Sequence, residues 1–260
     1  MVSVRLKKGE DRRIRDGHLW VFSNEIREIE GNKFPGEAAE VFDAGGGFLG
    51  CGYYNPRSLI AVRILSRCRE NIDDSHFFLK RIQNALNYRE AAYSGDDNFR
   101  VVYGEADFLP GLVVDKYGDY LSLQLLTAGM EFRREAILAA LRELFRPKGI
   151  VARNDVAVRV MEGLEEKVEI LSGSIPETIE VSEHGIRLLV DLTRGQKTGH
   201  FLDQKSNHLL LKGICNGKMR LTFSATQGVG HFMHQLSVLS RSSVSTFLKK
   251  LLRWGSGRLS

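Results

Sequence analysis

Residues 1–217 hold all 32 of the chain's aspartates and glutamates, and residues 218–260 hold none. Globular chains mix both signs of charge along their length, and at the frequency of the first part such a gap would arise roughly once in a thousand times. The formal net charge of +5 thus divides into −2 for residues 1–217, with 30 basic against 32 acidic side chains, and +7 for the remainder. A reading of the whole chain as a basic nucleic-acid binder would rest on those last residues alone. The first 217 residues must carry the fold.

At 260 residues the chain has room for two small domains, or for one and a fragment. No run of 18 apolar residues is present, so no membrane-spanning helix is expected. The start, Met1 to Lys8, lacks the apolar centre and cleavage site of a signal peptide. Cys51, Cys68 and Cys215 are odd in number, widely spaced and without a CxxC pair. They read as reduced thiols of a cytoplasmic protein, with neither a disulfide frame nor a metal site.

The first 70 residues alternate short strands with glycine turns. Strands are expected at Val2–Leu6, Trp20–Phe22, Ala39–Phe42, Gly50–Tyr54 and Ile60–Leu65, with a short charged helix between Gly9 and Asp16. Short strands at close spacing predict a small β-barrel over 1–70. Residues 67–75 are polar and read as a linker, with Asp73 or Ser75 as the cap of a helix whose Phe78, Ile82 and Leu86 share a face. From 75 to 190 strands and helices alternate: a strand pair around Tyr117-Gly118-Asp119, a helix over Phe132–Phe145, a strand from Gly149, and a hairpin of Thr178–Val181 with Ile186–Val190. This predicts a central α+β domain.

Three polar clusters stand out. Arg12, Arg13, Arg15 and His18 crowd one stretch beside Trp20, with Asn55-Pro56-Arg57 later in the same region. Cations can hold phosphates and an aromatic ring can stack on a base, but a solvated helix face with Trp20 in the core is the plainer reading. Asp107 and Asp115 flank Phe108-Leu109-Pro110-Gly111, and Arg153-Asn154-Asp155 follows a strand; turn formation suits the Asp107–Asp115 cluster better than acid–base chemistry. Gly195 to Gln204 links the hairpin to a helix expected from Lys205 to Gly213, and its lysine, amide and carboxylate could embrace a polar small molecule. Gly228-Val229-Gly230 is too weak to count as a nucleotide loop.

Taken in order, the chain resembles the SAM-dependent ribosomal RNA cytosine-C5 methyltransferases that begin with a PUA domain. The resemblance rests on Arg15 to Phe22, Gly52 to Pro56, Gly104 to Asp107, Leu109 to Asp115, Ala152 to Asp155, Gly195 to Gly199 and Phe201 to Gln204. His200 stands where an aromatic residue is expected. The resemblance implies a PUA-like barrel that helps to hold ribosomal RNA and a central α+β domain. After these it implies, over residues 191–217, only the beginning of a Rossmann-like methyltransferase domain binding S-adenosylmethionine (SAM). It makes Arg12, Arg13, Arg15, His18 and Arg57 candidates for RNA contact. Lys197, Asp203 and Gln204 become candidates near the cofactor or target base. The family's catalytic cysteine attacks C6 of cytosine and so activates C5; Cys51, Cys68 and Cys215 do not match its context.

After Gly217 the family has a buried strand and a glycine turn that cradle the cofactor, as in other Rossmann-like sheets. Residues 219–228 show no such pattern. Starting each codon one nucleotide earlier permits the peptide D-A-L-D-L-F-S-Y-T-G-G, which has it. The same shift over residues 245–259 restores an acidic residue and a helix. Residues 218–260 are therefore expected to be out of frame and to end at a premature stop, with any helix near Val244–Trp254 without function. On this reading the chain binds RNA but lacks methyltransferase activity. The alternative is a non-catalytic RNA-binding protein with a genuine basic tail.

Overall fold

The computed structural model describes residues 1–92, 95–183 and 186–205. The barrel begins with β1 (Val2–Leu6), whose Val2, Val4 and Leu6 alternate inward, as period-two strands do. Then come α1 (Arg12–Arg15), β2 (Trp20–Phe22), β3 (Ile26–Glu30), β4 (Ala38–Phe42), β5 (Phe48–Tyr54) and β6 (Ile60–Ser66). The strand order is β2-β6-β5-β4-β1-β3. The two edge strands are consecutive in the chain, joined only by the 3₁₀ turn Ser23–Glu25, so the sheet must curl until its edges meet. Gly52 permits the closest approach inside it, since a Cβ there would stand 1.9 Å from the Arg63 carbonyl oxygen.

Residues 67–75 are not a free linker. Ile72 is buried in the main core and Asp73 pairs with Arg133 at 2.6 Å. The cap of α2 (Ser75–Ala92) is Asp74, not Asp73 or Ser75: its Oδ1 accepts the His76 N–H at 3.0 Å. Phe78, Ile82 and Leu86 are buried on one face, as their spacing requires.

The second sheet comprises β7 (Asn98–Tyr103), β8 (Leu112–Tyr117), β9 (Tyr120–Leu125), β10 (Gly149–Asn154) and β11 (Lys167–Gly173), in the order β11-β10-β9-β8-β7. Only β9 and β10 run parallel, and a parallel pair needs a crossover. Here it is α3 (Ala128–Phe132) and α4 (Arg134–Phe145). The helix expected over Phe132–Phe145 thus starts earlier and breaks at Arg133. That side chain is buried, donating to the carbonyls of Ile72, Gly36 and Gly129. After β10 a short helix, α5 (Val158–Met161), precedes β11.

Ile150 and Ala152 face the core that includes α2 and α4, while Val151 faces β12 (Ile179–Glu183) and β13 (Ile186–Val190). Both faces of β10 are covered, which explains its uninterrupted burial. Strands β3, β7 and β11 are additions to the sequence-based expectation. β3 carries charges on both sides of its alternation, β11 exposes Val168 and Ile170 on the side opposite Lys167 and Glu169, and β7 is a short run interrupted by Arg100.

Candidate functional site

α1 projects the barrel's basic cluster, with Ile14 as its buried anchor. Arg12 is exposed and pairs with no carboxylate among the described residues. Arg13 donates to Glu25 at 2.8 Å, lies 3.0 Å from the His18 ring Nε2, and sits 5.2 Å over the Phe22 ring. His18 meets Trp20 edge to face at 5.6 Å. Arg15 is held by Asp11 and Asp43, each at 2.6 Å, so two carboxylates face its one charge. Arg57 lies apart from this group, against Gly163 of the second sheet's region. Trp20 is half-buried, packs against the barrel core and donates its indole N–H to Glu105 at 2.9 Å, so it serves the core's margin and presents no open stacking face.

A buried seam joins the barrel to the second sheet. Arg63 Nη2 donates to Glu162 Oε1 at 2.9 Å, and Asn55 Nδ2 donates to Oε2 at 2.8 Å. Tyr53 donates to the Pro110 carbonyl at 2.8 Å and shares a hydrogen bond of the same length with Thr127. Burial pushes its phenol well above the ordinary value. Gly129 packs flat on that ring: a Cβ there would stand 2.1 Å from it. Sequence reading missed this seam because its members are far apart in the chain; the Asn55-Pro56 turn was its one visible sign.

The carboxylates suspected of turn formation are structural in another way. Asp115 lies in β8, fully buried, paired with Arg100 at 2.8 and 2.9 Å and accepting the Thr198 hydroxyl. Asp107 is clamped by Arg89 and accepts the Tyr103 N–H at 2.6 Å. Arg153 forks onto Asp155 at 3.0 and 2.9 Å, and Asn154 accepts the Leu125 N–H at 2.8 Å.

Residues 191–205 are pinned onto this framework. Burial opposes ionisation of Asp191, but hydrogen bonds from Arg194 and Thr193 outweigh it and hold the carboxyl below its usual range. Tyr117 donates its hydroxyl to the His200 carbonyl at 3.2 Å and accepts the His200 N–H at 3.1 Å. His200, in the place of an aromatic residue, is buried with its Nε2 3.8 Å from Glu183 Oε1. Thr198 and His200 thus serve the framework, while Lys197 and Asp203 remain 43% and 56% exposed and pair at 3.0 Å. Lys197 adopts a positive φ of 54° and holds its ammonium 4.4 Å over the Phe201 ring. Gln204 closes the 3₁₀ turn Leu202–Gln204, but its side chain lies outside the described residues. So do the expected helix after Lys205, Gly228-Val229-Gly230, Cys215 and everything expected of residues 218–260. Among the described residues no helix is long and apolar enough to cross a membrane, and no group of side chains suits a metal ion.

Residues 4–67 match the PUA-like domain family. The chain is 33% identical over 259 residues to ribosomal RNA large subunit methyltransferase I of Yersinia pseudotuberculosis, covering 96% of itself and 65% of the relative. The protein of the same name from Shigella boydii is 38% identical over 233 residues, 87% of this chain and 59% of its own length. A Streptococcus mutans protein assigned as a SAM-dependent methyltransferase shares the fold, with a TM-score of 0.67 at 21% identity over 82% of this chain and 55% of its own. A structure assigned as a methyltransferase in complex with SAH gives 0.67 at 20% identity, over 81% and 53%. The chain therefore opens with a PUA-like domain and is homologous to the ribosomal RNA large subunit methyltransferases I, of whose length it spans less than two thirds.

Proposed function

We propose that the described part of this chain is the RNA-holding portion of a SAM-dependent enzyme that methylates C5 of a cytosine in large-subunit ribosomal RNA. The observation that carries this reading is the homology, which runs through the barrel and the second sheet together. Arg12, Arg13 and His18 form the phosphate-contacting face, with Arg12 as its cation open to solvent. Arg57 contributes from the seam. Arg15 is neutralised and serves the barrel instead.

SAM would supply the methyl group. The exposed Lys197–Asp203 pair fits its amino-acid part in charge, offering a cation to the carboxylate and a carboxylate to the ammonium. Gln204 is assigned to the same neighbourhood. Neither described cysteine suits the attack on C6. Cys51 is buried, burial raises its thiol pKa, and its Sγ donates to the Cys68 carbonyl at 3.1 Å. Cys68 is exposed but stands at the barrel's end, not in the 191–205 segment. We assign binding of RNA, not methyl transfer, to the portion described.

Residues 218–260 are proposed to be out of frame, on their lack of any carboxylate and the two motifs that one shift restores. The Yersinia alignment takes in 96% of the chain and so extends past Gly217. Sequencing the gene across codons 215–222 decides between a shifted frame and in-frame divergence. The +7 charge of those residues favours a second reading, a non-catalytic RNA-binding protein with a genuine basic tail.

The test is fluorescence anisotropy with a fragment of large-subunit ribosomal RNA at several salt concentrations. Arg12→Ala with Arg13→Ala is expected to weaken binding and lower the salt slope by roughly 0.7 for each single-strand phosphate that is no longer neutralised. Deleting residues 218–260 is expected to leave that dependence on Arg12 and Arg13 in place. If deletion alone abolishes binding, the basic-tail reading replaces ours.

A further inference from the structure

A cavity of about 300 Å³ opens where the end of β6, residues 67–70 and α2 meet the turn after the 3₁₀ helix Gly104–Asp107. Its floor is apolar, with Leu19 and Ile64, and its walls carry Arg67, Lys80 and Arg81 against the single carboxylate of Glu70. Its rim is Phe108. This residue has φ 59° and ψ 28°, the left-handed region that a bulky side chain rarely adopts, yet its ring is 53% exposed. Strain of this kind persists where the surroundings impose it, and it concentrates at ligand sites. Here it turns an aromatic face outward, with the Arg81 guanidinium 6.0 Å from the ring centroid.

The cations differ in how tightly they are held. Arg81 donates to the Leu65 carbonyl at 2.9 Å and lies 3.6 Å from Glu70. Arg67 donates to the His18 carbonyl at 2.9 Å, and burial pulls its guanidinium below the ordinary value. Lys80 reaches Glu70 only at 4.0 Å and is 66% exposed, so it can turn to another anion. The Arg67–His18 hydrogen bond joins the cavity's wall to the Arg13–His18 face, and Trp20 is tied to Glu105, three residues before Phe108.

We propose that this cavity holds one unpaired nucleotide of the RNA, its base stacked on Phe108 and its phosphate held by Lys80 and Arg67. The inference rests on the RNA-binding reading above and adds to it a stacking subsite for a single strand. An aromatic face, an apolar floor and two available cations are the chemistry of a nucleotide, not of a bare phosphate. A base within a duplex cannot present its face to such a ring. The volume lies at the lower end of small-molecule pockets, enough for one nucleotide and not several.

The experiment compares Phe108→Gly, Phe108→Leu and Lys80→Gln with the unaltered chain, using single-stranded and duplex RNA in anisotropy titrations. Glycine accepts the left-handed backbone, so Phe108→Gly is expected to fold with an unreduced Tm. Removing the stacking ring is expected to weaken single-strand binding about 5- to 150-fold in that variant. Its salt slope should be unchanged and duplex binding unaffected, and Phe108→Leu should recover only part of the affinity. Lys80→Gln should lower the single-strand salt slope by roughly 0.7. Wild-type affinity in Phe108→Gly overturns the subsite and leaves the RNA-binding reading standing. An equal weakening on duplex RNA overturns the stacking role. An unaltered chain that binds neither RNA overturns both readings.

Discussion

Replacing Glu162 by alanine removes the acceptor at the centre of the seam between barrel and second sheet. The carboxylate is 3% exposed and the Arg63 side chain 8%. Without it, Arg63 keeps only a marginal 3.5 Å hydrogen bond to the Ile60 carbonyl, and the Asn55 amide is left with the Glu162 backbone carbonyl at 3.2 Å. Breaking one side of a buried ion pair typically costs about 3–5 kcal/mol, because the remaining charge stays buried without compensation. For a chain of this size about 1 kcal/mol moves the melting point by 2–4 °C, so Tm should fall by roughly 6–20 °C. The assay is thermal denaturation followed by circular dichroism, with Asp119→Ala as control, since its pair with Lys148 is exposed on both sides and should contribute nothing measurable. The double variant Glu162→Leu with Arg63→Met should recover most of the stability, because apolar residues of similar volume can replace a buried pair. If Glu162→Ala melts with Asp119→Ala, the seam does not hold the two sheets together and the reasoning fails.

Three further outcomes follow from the same geometry. Tyr53 is kept neutral by burial, so its folded pKa is raised; the stability this contributes is present below the unfolded value of about 10 and is lost as pH rises past it. Denaturation titrations from pH 8 upward should therefore show a shallower alkaline loss in Tyr53→Phe, and an identical pH profile would refute the assignment. Gly129→Ala sets a methyl group against the Tyr53 ring and should cost about 1–3 kcal/mol in urea denaturation; an unchanged midpoint would show that α3 can move away. Arg15→Ala should leave the salt slope of RNA binding unchanged, in contrast to Arg12→Ala, because Asp11 and Asp43 already occupy the Arg15 guanidinium.

Particular residues show where local pattern sufficed. Val2, Val4 and Leu6 alternate as a half-buried strand must, and Phe78, Ile82 and Leu86 recur at helical spacing; both patterns arise because a core lies on one side of the element. The motif residues from Arg15 to Phe22 and from Gly195 to Gln204 pointed to a PUA-containing methyltransferase family, and homology to the ribosomal RNA large subunit methyltransferases I agrees. The sequence also marked Lys218 as the point where composition changes, a property of charge counts that needs no coordinates.

Pairings across long separations were not legible. Arg63 with Glu162, Tyr53 with Thr127 and Asp115 with Thr198 lie 99, 74 and 83 residues apart, and nothing local announces such partners. Arg12 and Arg15 look alike in the sequence, yet one is open and the other is held by Asp43 from a distant turn. Phe108 reads as part of an Asp-Phe-Leu-Pro-Gly turn, and only its left-handed backbone beside α2 makes it a rim of a basic cavity. Periodicity and motif residues determined many of the elements and pointed to the family by themselves, because both are written within a few turns of chain. Which charges are spent on the framework and which face solvent was decided by tertiary packing, because only folding chooses the neighbour that each charge meets.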